Sequence, residues 1–315
     1  MYRRPYFFEI LTLVSFAAIA IWMAPFLPVR RWLGALPLAL PFLGTMLAGI
    51  AIRYVVARRR GRNRAYLRII RSRRWITDSV RLIVFCGLWG FTYGCIKLLI
   101  PIAHPRLFDQ ELWNLDARLF FGVSPNLLFI ALFSHPWALQ AIDWTYANLF
   151  LASLWIASTY FLSAPSRRVR VAFMDSNTAL WLIGAWLYML VPSLGPAYRF
   201  PDIWLPLAGS LGRTQFLQRL LMTNYQRVLH SGTGPISLLY GIAAFPSLHV
   251  GFVTLVYFWM RRSWRPGALV FGTFSVVIFI GSVVTGWHYL IDSIAGVALA
   301  WICYAVADHR KSEVK

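Results

Sequence analysis

Charged residues are scarce in this sequence. Asp, Glu, Lys and Arg make up 13% of its 315 residues, whereas hydrophobic residues make up 59%. Soluble globular domains carry about a quarter charged residues. The shortage of charge therefore excludes an ordinary soluble globule.

Acidic residues are especially few. The chain has 11 Asp and Glu against 31 Lys and Arg, which gives a formal net charge of +20. In a soluble protein this excess would favour nucleic acid as a partner. In a membrane protein it follows from topology, because Lys and Arg accumulate in cytoplasmic loops. We therefore expect no nucleic-acid partner.

Cysteines and cofactor motifs are also few. The three cysteines, Cys86, Cys95 and Cys303, lie in apolar stretches without paired or metal-ligand spacing, so they are expected to be inert packing residues. No Gly-rich phosphate loop precedes a Lys-Ser or Lys-Thr, and no Cys/His cluster occurs. The sequence thus predicts no metal and no other cofactor.

Long apolar runs are abundant instead. A hydrocarbon core about 30 Å thick requires roughly 20 residues of helix. Residues 6–28 superficially match a signal peptide, but the run is too long and lacks a clear cleavage site. Hydropathy predicts an all-α polytopic membrane protein with eight transmembrane helices, at about 7–28, 33–57, 79–101, 137–162, 175–192, 243–260, 268–285 and 288–307.

Five basic segments fall on one side of this arrangement. They are Arg3 and Arg4, residues 58–74, residues 167–170, residues 261–265 and the tail 309–311. Because short basic loops stay in the cytoplasm, both termini are predicted to be cytoplasmic. The outer segments, 102–136, 193–242 and 286–287, then face the opposite compartment. We expect an integral protein of the plasma or inner membrane with its active site on that outer side.

The predicted helices divide the chain into three parts. Residues 1–75 hold two helices and a basic loop, residues 76–308 hold six helices, and residues 309–315 form a tail. The arginine-rich loop 58–74 could bind anionic lipid headgroups, at about 1 kcal/mol per basic residue. It could also serve only as a topology anchor.

The outer segment 106–122 has leucines near helical spacing, which predicts an interfacial amphipathic helix. The leucines are Leu107, Leu112, Leu115 and Leu119. The same segment contains three acidic residues, Asp109, Glu111 and Asp116. They are predicted to be solvated, although they could hydrogen-bond a polyol headgroup.

Two histidines lie at the outer ends of predicted helices. His249 opens the sixth helix and His288 opens the eighth, and Asp292 follows four residues after His288. On a helix the carboxylate and the imidazole share one face, so the carboxylate can hold the imidazole in one tautomer. A carboxylate inside an apolar helix is costly without a partner, which marks Asp292 as a functional candidate. Either histidine alone could equally be an ordinary interfacial residue.

With these residues the chain resembles the type-2 phosphatidic acid phosphatase superfamily. Pro246-Ser247-Leu248-His249 matches its second signature, Pro-Ser-Gly-His. The third, Ser-Arg-x5-His-x3-Asp, is matched by His288 and Asp292, with Gly281-Ser282 in place of Ser-Arg. The leucine and the His-Tyr-x2-Asp form are more similar to the inositol phosphorylceramide synthase branch. The resemblance covers about residues 105–307 and implies a six-helix catalytic core preceded by two extra helices.

The resemblance also implies roles for these residues. His288 would attack phosphorus to form a phosphohistidine, Asp292 would orient it, and His249 would protonate the leaving group. A neutral imidazole can attack phosphorus, and one with a pKa of about 6.5 can donate a proton. The implied partners are a membrane phospholipid or lipid phosphate and an alcohol or water acceptor.

Ser282 stands where the third signature has an arginine. The site therefore has one cation fewer to neutralise the phosphate, a task that Arg or Lys normally performs. The superfamily's first signature, Lys-x6-Arg-Pro, is expected near residues 190–201, where Arg199 is the positional candidate. A second match, Lys97-x6-His104-Pro105, lies one helical hairpin too early and is discounted.

Further candidates for phosphate binding lie in the outer loop and the second signature. Arg213 and Arg227 could replace the missing cation, because Arg binds phosphate bidentately. They could equally be solvated beside lipid headgroups. Ser247 is expected at the phosphate from its place in the second signature.

Three functions fit these observations. The first is a lipid phosphotransferase that moves a phospho-headgroup, such as phosphoinositol, to an alcohol acceptor. The second is a phosphatase for a lipid phosphate or polyprenyl diphosphate, with water as the acceptor. The third is a non-catalytic lipid-binding or transport protein, against which the three residues His249, His288 and Asp292 argue.

Overall fold

A computed structural model describes residues 5–23, 35–230, 237–238 and 240–312 of the chain. The described residues form helices and connecting turns. In chain order the helices are α1 (Phe7–Met23), α2 (Ala35–Arg59), α3 (Asn63–Ile70), α4 (Arg73–Ala103), α5 (Asp109–Leu119), α6 (Pro125–Leu132), α7 (Pro136–Leu162), α8 (Arg167–Leu190), α9 (Pro196–Arg199), α10 (Pro201–Trp204), α11 (Gly212–Leu229), α12 (Leu248–Ser263), α13 (Arg265–Val284) and α14 (Leu290–Ser312).

Each of the eight predicted transmembrane segments corresponds to a helix: α1, α2, α4, α7, α8, α12, α13 and α14. Among the described residues, α2, α4, α13 and α14 are long and apolar enough to cross a membrane, and α1 is apolar but shorter. The protein is therefore an all-α polytopic membrane protein. Residues 24–28 and 33–34, which are the ends of two predicted spans, lie outside the described residues. The basic residues Arg3 and Arg4 also lie outside them.

Two helices near the histidines begin later than the hydropathy pattern predicts. α12 begins at Leu248 because Ser247 caps it, with the Ser247 hydroxyl accepting the Val250 N–H at 3.5 Å. α14 begins at Leu290, so His288 lies in the turn before the helix. The prediction that His288 opens a helix was therefore wrong.

The outer segments predicted to connect the spans contain helices of their own, α5, α6 and α9 to α11. The amphipathic helix predicted at 106–122 does form, as α5, but with an unexpected orientation. Leu115 and Leu119 are 41% and 53% exposed, whereas Asp109 and Asp116 are each 1% exposed. The buried side of α5 therefore carries carboxylates, and the prediction that these two are solvated was wrong.

The chain divides into two compact units. The first comprises Met1–Tyr93, Ala152–Leu182 and Cys303–Lys315, and the second comprises Gly94–Leu151 and Ile183–Ile302. His249, His288 and Asp292 all belong to the second unit.

Candidate active site

The turn between α13 and α14 carries His288 and has a conformation that requires glycine. Gly286 has a φ of +73°, a value that side chains rarely tolerate. A Cβ at this position would also come within 2.7 Å of Ala197 and 2.5 Å of the Trp204 ring. The turn is therefore packed tightly against α9 and α10, which limits the positions that His288 can take.

Three polar side chains fix the backbone of this turn. The Asn126 amide on α6 donates to the carbonyls of Val283 and His288 at 3.0 and 3.1 Å. Trp204 and Gln218 donate to the two carbonyls that follow Val283, at 2.9 and 3.1 Å. Because buried carbonyls require donors, these contacts specify one conformation of the turn.

The buried carboxylates of α5 hold the residues after His288. Asp116 accepts the backbone N–H groups of Leu290 and Ile291 at 2.6 and 3.0 Å. Asp109 accepts the Tyr289 hydroxyl at 2.9 Å. Burial raises the pKa of Asp109, and it raises the pKa of Asp116 to about 6. The two carboxylates thus position the segment that follows His288.

The third acidic residue of this segment is in a different environment. Glu111 is exposed and forms an ion pair of 2.8 Å with Arg106. The guanidinium of Arg106 lowers the pKa of this carboxyl. Glu111 is therefore the solvated acid that the sequence predicts.

His288 and Asp292 lie together at the start of α14. Nδ1 of His288 is 3.5 Å from Oδ2 of Asp292, and the two side chains are 4% and 0% exposed. Oδ2 of Asp292 also accepts the Tyr289 N–H at 2.9 Å, which fixes the carboxylate. Because Nδ1 faces the carboxylate, Nε2 is the ring nitrogen directed away from it. This arrangement suits an imidazole that attacks through Nε2 while Asp292 stabilises its positive charge.

His249 faces His288 from the first turn of α12. The two ring centroids are 6.1 Å apart. The Tyr146 hydroxyl lies 3.3 Å from Nδ1 of His249, and the Phe150 ring centroid is 4.1 Å from the His249 centroid. These contacts orient the His249 ring beside His288.

The start of α12 packs directly against α14. The Ser247 N–H donates to the Asp292 carbonyl at 2.9 Å, and a Cβ at Gly296 would be 2.2 Å from the Ser247 carbonyl oxygen. Leu248 fills the space beside Gly184 on α8, where a Cβ would be 2.4 Å from it. Ser247 and Leu248 therefore set the separation of the two histidines.

A cation from α4 completes the group. The Lys97 ammonium acts electrostatically on both His249 and His288. It lies 5.7 Å from the centroid of the Tyr188 ring, and the Lys97 side chain packs against Gly241, where a Cβ would be 2.6 Å from that of Lys97. Two imidazoles, a buried carboxylate and an ammonium can together bind a phosphate and transfer a phosphoryl-containing group.

A profile of the PAP2 superfamily matches residues 110–306, which include both histidines and Asp292. The chain belongs to the PAP2 superfamily. It is accordingly an enzyme of the lipid phosphatase or phosphotransferase type, and the superfamily expected from the second and third signatures is confirmed. No curated protein and no solved structure gives a significant match to the sequence.

Lys97 precedes the matched PAP2 region, and sequence reasoning discounted it. The fold nevertheless brings Lys97 close enough to act electrostatically on both histidines, because α4 packs at Lys97 against Gly241, in the segment that leads into α12. One signal could have identified it. The other lysines, Lys311 and Lys315, are at the carboxyl terminus, whereas Lys97 stands within a long apolar run, where a charge is costly unless it has a function.

The place of the arginine in the third PAP2 signature is occupied by a neutral side chain. Ser282 is 0% exposed, and its hydroxyl donates to the Phe279 carbonyl at 2.7 Å. It also forms a 2.9 Å hydrogen bond with the Ser293 hydroxyl. Two hydroxyl groups that are hydrogen-bonded to each other thus lie where the third signature has a guanidinium.

The three arginines predicted to bind phosphate are exposed. The Arg199 guanidinium lies 3.5 Å from the Gln110 side-chain oxygen. Arg213 donates its backbone N–H to Asp143 at 3.0 Å, and Arg227 lies on α11. The contacts described for Arg199 and Arg213 are therefore with residues other than the histidines.

Proposed function

We propose that this PAP2 protein transfers a phospho-headgroup from a membrane phospholipid to an alcohol acceptor through a phosphohistidine at His288. The proposal is supported by the facing His249 and His288 rings, the Asp292 carboxylate beside Nδ1 of His288, and the Lys97 ammonium. Each of these groups has a task in phosphoryl transfer.

The reaction takes place in two displacements. In the first, Nε2 of His288 attacks phosphorus and the bond from phosphorus to the lipid alcohol oxygen breaks. His249 gives its proton to that leaving oxygen. In the second, the acceptor hydroxyl returns a proton to His249 and attacks phosphorus, which releases His288. Asp292 stabilises the imidazolium character that His288 acquires in both steps.

The observation that favours a phosphodiester donor is the neutral hydroxyl pair of Ser282 and Ser293. A phosphate monoester carries a charge of about −1.5 to −2 at neutral pH, whereas the phosphate of a diester carries a single negative charge. With Lys97 beside the histidines and a hydroxyl where the superfamily has an arginine, the site suits the less charged diester. A diester donor leaves its headgroup on His288, as transfer of phosphoinositol or a similar headgroup requires, in the manner of the inositol phosphorylceramide synthase branch.

The same proposal includes a topology. The basic loops favour cytoplasmic termini and a catalytic site on the outer side of the plasma or inner membrane. Residues 1–75 would precede the catalytic part, residues 76–308. We retain the exposed Arg199, Arg213 and Arg227 as candidates for contacts with the headgroup at that surface.

The test is headgroup transfer by purified full-length protein in detergent. Phosphatidylinositol labelled in its headgroup is supplied with and without an acceptor, which is either ceramide or a diacylglycerol whose acyl chains differ from those of the donor. We expect a labelled product that depends on the acceptor. After a short incubation without acceptor, we also expect a label on the protein that is stable to alkali and lost in acid, as a phosphohistidine is.

Two variants accompany this assay. His288→Ala should abolish both the product and the protein-bound label, whereas His230→Ala, which removes an exposed histidine at the end of α11, should leave both intact. Phosphate release from a lipid phosphate, without any acceptor dependence, would instead establish the phosphatase alternative. Full activity of His288→Ala would contradict the nucleophile assignment.

A further inference from the structure

A polar cavity lies in the first unit, between the amino-terminal ends of α4 and α8. Its volume is about 280 Å³. Arginine, serine and aspartate side chains line it together with a few apolar residues. Its lining comprises Ile69, Ser72, Arg74, Trp75, Asp78, Pro165, Arg167 and Arg170.

The cavity contains more positive than negative charge. Nε of Arg167 lies 3.0 Å from Oδ2 of Asp78, and the other oxygen of Asp78 accepts the Tyr6 hydroxyl at 2.7 Å. Asp78 also acts electrostatically on Arg170. Two guanidinium groups therefore share one carboxylate. The nearby Glu9 does not correct the excess, because it is paired with Arg81.

Arg170 is the more deeply buried of the two arginines. It is 1% exposed, donates to the Ser79 hydroxyl at 2.6 Å and stacks 4.4 Å from the Trp75 ring centroid. Its Nε atom is buried and has no hydrogen-bond partner. A buried cation with an unused donor is costly unless an anion compensates it.

Two further features add positive potential. Arg74 lines the cavity from the first turn of α4, and the cavity lies at the positive ends of both helix dipoles. Ser72 caps α4 by accepting the Trp75 N–H at 3.3 Å. Phosphate groups in proteins commonly bind at helix amino termini and to arginine side chains that donate two parallel hydrogen bonds.

We propose that this cavity binds a phosphate group, carried either by an anionic lipid headgroup or by a soluble phosphate. The cavity is large enough, since a water molecule occupies about 30 Å³ and a phosphate only a few times that volume. The basic segments around it place it on the side that we propose to be cytoplasmic. The site involves neither His249 nor His288, so it does not depend on the proposed transferase activity.

The experiment measures thermal unfolding of the full-length protein in nanodiscs by tryptophan fluorescence. Discs of phosphatidylcholine alone are compared with discs that contain phosphatidylglycerol and with phosphatidylcholine discs titrated with inorganic phosphate. We expect the midpoint temperature to rise with at least one of these probes. A rise with phosphatidylglycerol alone assigns the site to a lipid headgroup, and a rise with inorganic phosphate alone assigns it to a soluble ligand.

The variants Arg74→Gln and Arg68→Gln localise the effect. Both remove one exposed arginine, but only Arg74 lines the cavity, so Arg68→Gln is the charge-matched control on α3. Arg74→Gln should weaken the apparent affinity about tenfold, as expected for the loss of one charge-assisted hydrogen bond, and Arg68→Gln should leave it unchanged. The proposal is overturned if no probe raises the midpoint, if both variants lose affinity equally, or if Arg74→Gln loses none, which would place the ligand elsewhere.

Discussion

Lys97, His249 and His288 are far apart in the sequence and meet in the second unit of the fold. Each reaches the site from a different element, and each is held by neighbours that carry out no chemistry themselves. His249 is oriented by Tyr146 and Phe150, and Lys97 packs against Gly241. The roles that we propose for these three side chains depend on their positions, which substitutions of single residues can test.

Replacement of Lys97 by Gln should lower kcat/KM about 100-fold, because it removes the cation that we propose stabilises charge on the transferring phosphate. Arg118→Gln removes an equal charge from the exposed face of α5 and is the control. Steady-state kinetics of headgroup transfer measure both. Equal effects of the two changes would mean that Lys97 contributes only general electrostatics.

Replacement of Asn126 by Ala should lower kcat about tenfold with little change in KM, since the amide holds the carbonyls of Val283 and His288 rather than the substrate. Formation of the protein-bound label should slow by the same factor. The control is Asn177→Ala, which removes another buried asparagine, in the first unit. Asn177→Ala should reduce thermal stability without slowing label formation. If Asn126→Ala also reduced thermal stability without slowing label formation, Asn126 would have no positioning role.

At the scale of helices, α5 holds the segment that follows His288, although it carries neither histidine. Two of its carboxylates, Asp109 and Asp116, contact Tyr289, Leu290 and Ile291 immediately after His288. Asp116 is buried, so its negative charge is costly at neutral pH, and backbone donors only partly compensate that cost. The helix therefore links the stability of the active-site turn to pH.

Because burial raises the pKa of Asp116 from 3.8 to about 6, the folded state binds this proton more tightly than the unfolded state. The contribution of Asp116 to stability should therefore increase as the pH falls from about 7 through 6, and it should level off near 4. Thermal unfolding of Asp116→Asn should lack this increase, while the exposed Glu111→Gln should retain it. Identical pH profiles for wild type and Asp116→Asn would contradict the assignment.

At the scale of the whole molecule, orientation in the membrane decides which compartment the candidate active site faces. The three cysteines, Cys86, Cys95 and Cys303, are buried and unpaired, so the native chain should react little with a membrane-impermeant maleimide. In intact cells or spheroplasts, Val123→Cys on the outer segment should be labelled, whereas Arg62→Cys should be labelled only after permeabilisation. The reverse pattern would place the site on the cytoplasmic side.

The sequence by itself determined the membrane class, the positions of eight helices and the superfamily. Each of these depends on local properties, namely runs of apolar residues and short signatures around His249, His288 and Asp292. Tertiary structure alone decided three other features: the inward carboxylates of α5, the placement of Lys97 near the histidines, and the position of His288 in a turn before α14. Leucine spacing indicates an apolar stripe but not which side of a helix faces the protein. A residue's distance along the chain likewise does not determine its distance in space, because packing between helices, fixed by contacts such as Gly241 against Lys97, brings remote segments together.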